Sequence, residues 1–296
     1  MDAFVGRAFA RAALAGNPSD GYGGRTVATC VADWWAEARL SPGGPVRVEG
    51  ETAAAPLVHA ALARLPCLGA PALRTGTITV RTSIPREVGL AGSSAIVIAV
   101  LRAVLGERAA DAPDALAREA LAAEVQELGI AAGPQDRVVQ AHGGLLDMDF
   151  ASGRVTALDP KLLPPLLLAH RDAPARPSGH SHDELRARFE RGEPATLAAL
   201  RGLAEAAARA ARALRAGDVE ELGVALDESF DARARMMDLD PTEAEGAWIA
   251  RRHGAAVNYA GSGGAVVVLD RDGAEPRLIE AFRRAGWHAR RLRVAG

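Results

Sequence analysis

A strand-like segment, a glycine-rich turn and a long apolar run follow one another without a gap between Thr75 and Leu105, and no other part of the chain limits its fold so tightly. Ile78, Val80 and Ile84 sit at alternating positions, as a half-buried strand requires. Ala95 to Leu105 is Ala, Ile, Val and Leu broken only by Arg102. Periodicity alone does not separate helix from strand there, but the length of the run and the Ser93-Ser94 cap before it favour a buried helix. Between the two lies Pro85-Arg86-Glu87-Val88-Gly89-Leu90-Ala91-Gly92-Ser93-Ser94-Ala95. A helix start leaves backbone N–H groups unpaired and carries partial positive charge, so glycines that let the backbone approach closely make an anion site there. The same residues would equally serve as a plain cap on a core helix, because short Gly-Ser turns are common.

The sole lysine of the chain is Lys161, in Asp159-Pro160-Lys161-Leu162, remote from every glycine-rich turn. A Walker-type loop needs Gly-Lys-Ser/Thr, and a protein kinase needs a strand lysine on the phosphates. Neither pattern is present, so any nucleotide would be held by backbone amides, Mg²⁺ and arginines. Schiff-base chemistry with pyridoxal phosphate would fall to that one lysine and is not expected.

At 296 residues and 49% hydrophobic content the chain has material for a substantial core and for two domains. Its formal net charge of −2 and dispersed arginines give no footprint for nucleic acid or an anionic membrane. Cys30 and Cys67 are too few for a disulfide framework or a cysteine-rich metal site, which fits a reducing cytoplasm. The N-terminal residues lack the basic start and apolar stretch of a signal peptide, and no apolar run reaches the length of a membrane span.

Phe4 to Leu14 is expected as a strand or strand pair, ending at the turn-rich run Gly16-Asn17-Pro18-Ser19-Asp20-Gly21-Tyr22-Gly23-Gly24. Such a polar loop is either a surface turn or a ligand site. Val27 to Leu40 and Val46 to Val48 extend the sheet, and Leu57 to Leu65 is a short helix. Pro113 to Leu128 is an amphipathic helix with proline near its start and Gly129 just past its end. After Phe150 a strand (Leu162 to Ala169) and a Pro/Gly/His loop (Arg171 to Asp183) precede helices over Thr196 to Ala216, Asp218 to Met237 and Pro241 to His253. The chain ends as strand, glycine turn, strand, helix and strand. Strands mixed with helices in this order indicate an α+β protein, with a boundary placed near residue 155.

On the helix from Pro113, the row Leu116, Ala120, Glu124, Leu128 steps by four, so Glu124 points with the apolar residues while Arg118, Glu119 and Gln126 fall on the other side. A carboxylate on a buried face must be paired, metal-bound or protonated, which leaves a structural salt bridge and a metal ligand both open. Asp136 is expected in the loop Gly133-Pro134-Gln135-Asp136-Arg137, as a turn former or as a base near a bound phosphate. His180-Ser181-His182-Asp183 resembles part of a metal site but has no second cluster to complete it. Gly261-Ser262-Gly263-Gly264 is either a hairpin turn or a place where backbone packs against the phosphate cradle.

Taken together, these pieces resemble the GHMP kinases, the small-molecule kinases named for galactose, homoserine, mevalonate and phosphomevalonate. Three motifs carry the resemblance, in the family's order: Arg11 to Asp20, Pro85 to Ala95, and Tyr259 to Ala265. Within that family, Ala132-Gly133-Pro134-Gln135-Asp136-Arg137, Gly143-Gly144-Leu145 with Met148-Asp149-Phe150, and Gly261 to Val267 are similar to the glucuronokinases. Ser229-Phe230-Asp231 departs from them, standing where Asn-Phe-Asp is expected. The resemblance implies a two-domain α+β fold: an N-terminal ATP-binding domain over 1–155 like the second domain of ribosomal protein S5, and a ferredoxin-like C-terminal domain over 156–296. It implies ATP and Mg²⁺ as cofactors and a sugar or sugar acid as substrate, phosphorylated at the anomeric hydroxyl, with no nucleic-acid or membrane partner. By the same resemblance Pro85, Gly89, Leu90, Ala91, Gly92, Ser93, Ser94 and Ala95 hold the nucleotide, and Ser94 with Glu124 holds the metal. Asp136 and Arg11 are catalytic, the first toward the sugar hydroxyl and the second toward the transferred phosphoryl group. Asn17, Asp20, Arg137, Gly261, Ser262 and Gly263 bind substrate. The fold also hosts heptose and mevalonate kinases, an ATP-dependent decarboxylase and ligand-sensing relatives without turnover.

Overall fold

The computed structural model describes residues 4–51, 54–172, 178–237, 239, 241–271, 273 and 275–295, and of 178–182 and 241–243 the backbone alone. Two compact units interleave along the chain. The first comprises Met1–Ala10, Ala32–Pro85 and Ala91–Gly143, and the second Arg11–Val31, Arg86–Leu90 and Gly144–Gly296. The strands β1 (Phe4–Ala15) and β2 (Arg25–Pro45) contribute residues to both. The expected boundary near residue 155 falls inside a strand, Arg154–Leu158.

In the first unit, the later half of β2 pairs antiparallel with β4 (Thr75–Thr82), and β4 pairs in parallel with β3 (Arg47–Gly50). Helices α1 (Ala55–Ala63), α2 (Gly92–Leu105), α3 (Pro113–Ala122) and α4 (Gln135–His142) complete it. The apolar run forms the helix its length predicts, and α2 is buried from Ser94 through Leu101, packed against α1, α3 and α4. Its cap differs from the expectation. The helix begins at Gly92, and the N-cap is Ala91, a left-handed residue with φ 60° and ψ 45°. Ser93 and Ser94 therefore lie inside the first turn and do not cap it.

The amphipathic helix ends earlier than its pattern, because α3 gives way to a π-helical turn over Ala123–Glu127. Such turns are rare and concentrate at functional positions. Asp136 is not in a loop: Pro134 is the N-cap of α4, which places Asp136 and Arg137 in that helix's first turn. Glu119 is also corrected, being buried at 5% exposure, where Arg64 reaches it at 2.7 Å from a distant part of the chain.

In the second unit, the early half of β2 pairs with β5 (Leu145–Asp149), which pairs with β6 (Arg154–Leu158). A four-stranded antiparallel sheet follows the order β10 (His288–Arg291), β7 (Leu166–His170), β9 (Ala265–Leu269), β8 (Ala256–Tyr259). Helices α5 (Ser178–Glu190), α6 (Pro194–Ala216), α7 (Val219–Met236), α8 (Pro241–Arg252) and α9 (Glu275–Arg284) accompany it. The side chains of His180, Ser181 and His182 lie outside the described residues. Gly217, in left-handed geometry, ends α6, and the Asp218 carboxylate accepts the Glu221 N–H at 3.0 Å to start α7, so two long helices pack as a hairpin. Phe230, Tyr259, Val266, Val268, Leu278, Phe282 and Trp287 fill the core under the sheet.

Candidate active site

The expected site residues fall into two clusters, one in each unit. In the first, Ala91 is the unusual backbone. A non-glycine residue in left-handed geometry costs of order 1–3 kcal/mol and persists only where its surroundings hold it. Here the Ala91 carbonyl accepts from the Ser94 hydroxyl at 3.2 Å, the Ala95 N–H at 3.2 Å and the Gln140 amide at 2.9 Å. Gln140 also donates to the Phe9 carbonyl at 2.9 Å. Three donors on one carbonyl fix the entry to α2, and the first-turn N–H groups of Gly92, Ser93 and Ser94 have no acceptor within their own helix. Ser94 is fully buried and Ser93 is exposed.

Glu124 is fully buried. Arg137, itself 4% exposed, donates from Nε to Glu124 Oε2 at 2.7 Å and from Nη2 to the same oxygen. Its Nη1 donates to the Gly133 carbonyl at 2.9 Å and lies 3.6 Å from Asp136 Oδ2. Both readings of Glu124 thus retain a place: one oxygen is ion-paired, while Oε1 is buried with no hydrogen-bond partner among the described residues. An unsatisfied buried acceptor costs about 1–3 kcal/mol, more for a charged group. Arg137, expected on substrate, is here engaged by the metal candidate.

In the second cluster, Arg11 is buried at 3% exposure and its Nη1 donates to the carbonyls of Gly89, at 3.3 Å, and Ala260. The Arg11 N–H bonds the Leu90 carbonyl at 3.2 Å and the Ala13 N–H bonds the Ala260 carbonyl at 2.8 Å. The Asn17 amide donates to the Gly261 carbonyl at 3.1 Å, and Asn17 Oδ1 is buried with no partner among the described residues. Asp20 is buried in the 3-10 turn Ser19–Tyr22. The run Gly261 to Gly264 is a hairpin turn between β8 and β9 and is also packed against the cradle, so both sequence readings hold. A methyl group on Gly261 would meet the Gly89 carbonyl at 2.0 Å. One on Gly89, where φ is +74°, would meet the Gly263 carbonyl at 2.6 Å. Only glycine allows these two backbones to touch.

Ser229, where the resemblance expects Asn, and Arg233 support these loops from α7. The Gly16 N–H donates to the Ser229 hydroxyl at 3.0 Å, and Arg233 holds the carbonyls of Gly261 and Ser262. Their four-residue spacing on one helix was the available signal.

Elsewhere in this unit, Asp147 is held by Arg25 through 2.7 and 2.6 Å contacts and by Arg215 at 2.7 Å. Burial pushes its carboxyl up, but the two guanidinium groups outweigh that and hold it below the usual range. Lys161 is exposed in the 3-10 turn Pro160–Leu162.

The residues present fit Mg²⁺. Among the described residues no group of three or more His, Cys, Asp or Glu side chains lies together, so there is no all-protein cage. Mg²⁺ needs none, because it keeps waters and binds through one or two carboxylates plus substrate phosphates. Glu124 Oε1 would supply one hard oxygen donor, and the Ser94 hydroxyl retains acceptor lone pairs.

The profile of the GHMP kinases N terminal domain matches residues 56–144. The chain is 32% identical over 333 residues to Glucuronokinase 1 of Arabidopsis thaliana, covering 98% of this chain and 91% of that protein. It is 32% identical over 321 residues to Probable glucuronokinase 2 of the same plant, covering 94% and 87%. The crystal structure of Lactococcus lactis galactokinase complexed with galactose superimposes with a TM-score of 0.80 at 13% identity, covering 98% of this chain and 93% of that one. The chain is a member of the GHMP kinase family.

Proposed function

We propose that this protein is an ATP- and Mg²⁺-dependent sugar kinase that phosphorylates the anomeric hydroxyl of a sugar acid, D-glucuronate in the first instance. The observation that carries the reading is the 32% identity to a glucuronokinase across 98% of the chain. The site chemistry supports it. The amides at the start of α2 and the Gly89-Leu90 arm would receive phosphate oxygens without a lysine. Mg²⁺, when bound by Glu124 and Ser94 together with those phosphates, neutralises charge on the transferring group. Asp136 accepts the proton of the sugar hydroxyl, and Arg11 steadies charge at the transferred phosphoryl group. Asn17 Oδ1 and Asp20 offer acceptors to sugar hydroxyls, as the hairpin over Gly261, Ser262 and Gly263 borders the same ligand. In this reading residues 1–155 bind nucleotide and 156–296 form the C-terminal domain.

A glucuronate carboxylate calls for an arginine. Arg25, Arg137 and Arg233 already hold protein partners and would have to share them, whereas Arg235 is exposed. Measuring ADP release with glucuronate and glucose in each arginine-to-alanine variant separates them: the true partner loses its preference for the acid, and equal losses on both sugars reject it. The parent reading is tested by ADP release across uronic acids, aldoses, heptose phosphates and mevalonate. Turnover of uronic acids first is the expected result. Turnover of mevalonate or a heptose phosphate with none on uronic acids would replace it.

A further inference from the structure

Arg233 does not behave as a surface arginine of α7. It is 4% exposed, its Nη2 donates to the Ser262 carbonyl at 2.7 Å, and its Nη1 donates to the carbonyl of Gly261. Its guanidinium also lies over the Tyr259 ring, 4.6 Å from the centroid. That ring stacks on Phe230, from the same helix, at 5.0 Å. A buried cation over an aromatic face, with two carbonyl dipoles in its fork, is held more strongly than the same contacts would be in water. The fork matters because two nitrogens reach two successive carbonyls, which a lysine ammonium on a flexible stem would not hold in one fixed geometry.

The carbonyls of Ala260, Gly261 and Ser262 are all taken by arginine side chains, the first by Arg11 and the other two by Arg233. Those same residues form the wall against which Gly89 rests, with no room for a methyl group on either side. A backbone contact that tight transmits displacement, since packed groups have no slack to absorb it. The Gly261 carbonyl is in addition the acceptor for Asn17, so one oxygen ties three segments together.

We infer that Arg233 is a positioning residue that holds the 259–264 hairpin against the Arg86–Leu90 arm of the cradle and so sets nucleotide affinity from α7. Its second consequence, the affinity, rests on the proposed kinase reading. Its first, the mechanical coupling, does not.

The test compares Arg233→Lys and Arg233→Met with Ser229→Ala, which loses a bond from the same helix to Gly16 but none to the hairpin. Amide hydrogen exchange of residues 86–90 should accelerate by about tenfold or more in the Arg233 variants, the scale set by losing hydrogen bonds from a charged donor. In Ser229→Ala it should stay at the parent rate. In steady-state assays KM for ATP should rise by a similar factor in Arg233→Lys, with KM for the sugar little changed and the acid-to-neutral sugar preference retained. Faster exchange confined to 259–264, with 86–90 at the parent rate, would overturn the coupling. A loss of preference for the acidic sugar with an unchanged KM for ATP would also overturn the inference, because it would place Arg233 on the substrate. Absence of ATP binding in the parent protein would reject the kinase reading alone, and the exchange rates would still decide the coupling. Arg233→Lys keeps charge and stem, so the exchange measurement has a folded variant to work with.

Discussion

The two clusters use arginine in opposite ways. Around α2 and α4, Arg137 is bound to a carboxylate, and the result is a buried ion pair with one oxygen left open. Around the 259–264 hairpin, Arg11 and Arg233 are bound to backbone carbonyls, and the result is a fixed wall of main chain. The first arrangement leaves one carboxylate oxygen without a partner among the described residues, and the second converts charge into shape. Amides recognise an anion only when the backbone that bears them is held still.

If that division is right, substitutions should separate it. The largest effect is expected from Asp136→Asn, which should lower turnover by roughly 10²–10⁴-fold while leaving Mg²⁺–ATP binding near the parent value. Near-normal turnover in a steady-state assay would remove Asp136 from the reaction. Next, Glu124→Gln removes the nearer of the two carboxylates beside the buried Arg137 cation, and breaking such a pair typically costs about 3–5 kcal/mol. Urea unfolding without metal should show that loss, and the double variant with Arg137→Met should recover part of it. No recovery would mean that the pair is not the source.

In the second cluster the damage should be steric. Gly261→Ala drives a methyl group into the Gly89 carbonyl, an overpacking expected to cost about 1–3 kcal/mol, with no change in the metal dependence of whatever activity remains. A shifted Mg²⁺ requirement would break the comparison. The smallest effect concerns acid. Because the folded-state pKa of Asp147 is lowered, its contribution is present above the unfolded pKa and is lost as pH falls through the folded one. Asp147→Asn should therefore melt below the parent at neutral pH, with the gap narrowing below about pH 4, where an unperturbed aspartate protonates. A gap that stays constant down to pH 2 would show that the loss is packing alone.

Much of this was legible before any coordinates. An apolar run as long as Ala95 to Leu105 buries itself as a helix, and the row through Glu124 places that acid inward whichever partner it finds. What escaped depended on distant residues or on backbone geometry that composition does not announce. Ser93-Ser94 looks like a cap, yet three donors on one carbonyl stabilise a left-handed Ala91 and start the helix at Gly92, ahead of both serines. Gly133-Pro134 looks like a turn, yet proline also suits a helix start, so Asp136 rides on α4. The helical row turns Glu119 outward, yet its partner Arg64 lies 55 positions away, and the duties of Arg137 and Arg233 are equally long-range or tertiary. A local pattern records which face a residue takes, and contact between segments decides what meets it there.

In the proposed function, amides at the start of α2 and a cation tethered by Glu124 receive a triphosphate with no lysine. Isothermal titration calorimetry with ATP in the presence and absence of Mg²⁺, on the parent and on Glu124→Gln, addresses it directly. Saturable heat that requires Mg²⁺ in the parent and weakens in the variant is the predicted result. Absence of heat in the parent, or binding that ignores both Mg²⁺ and the substitution, would contradict it.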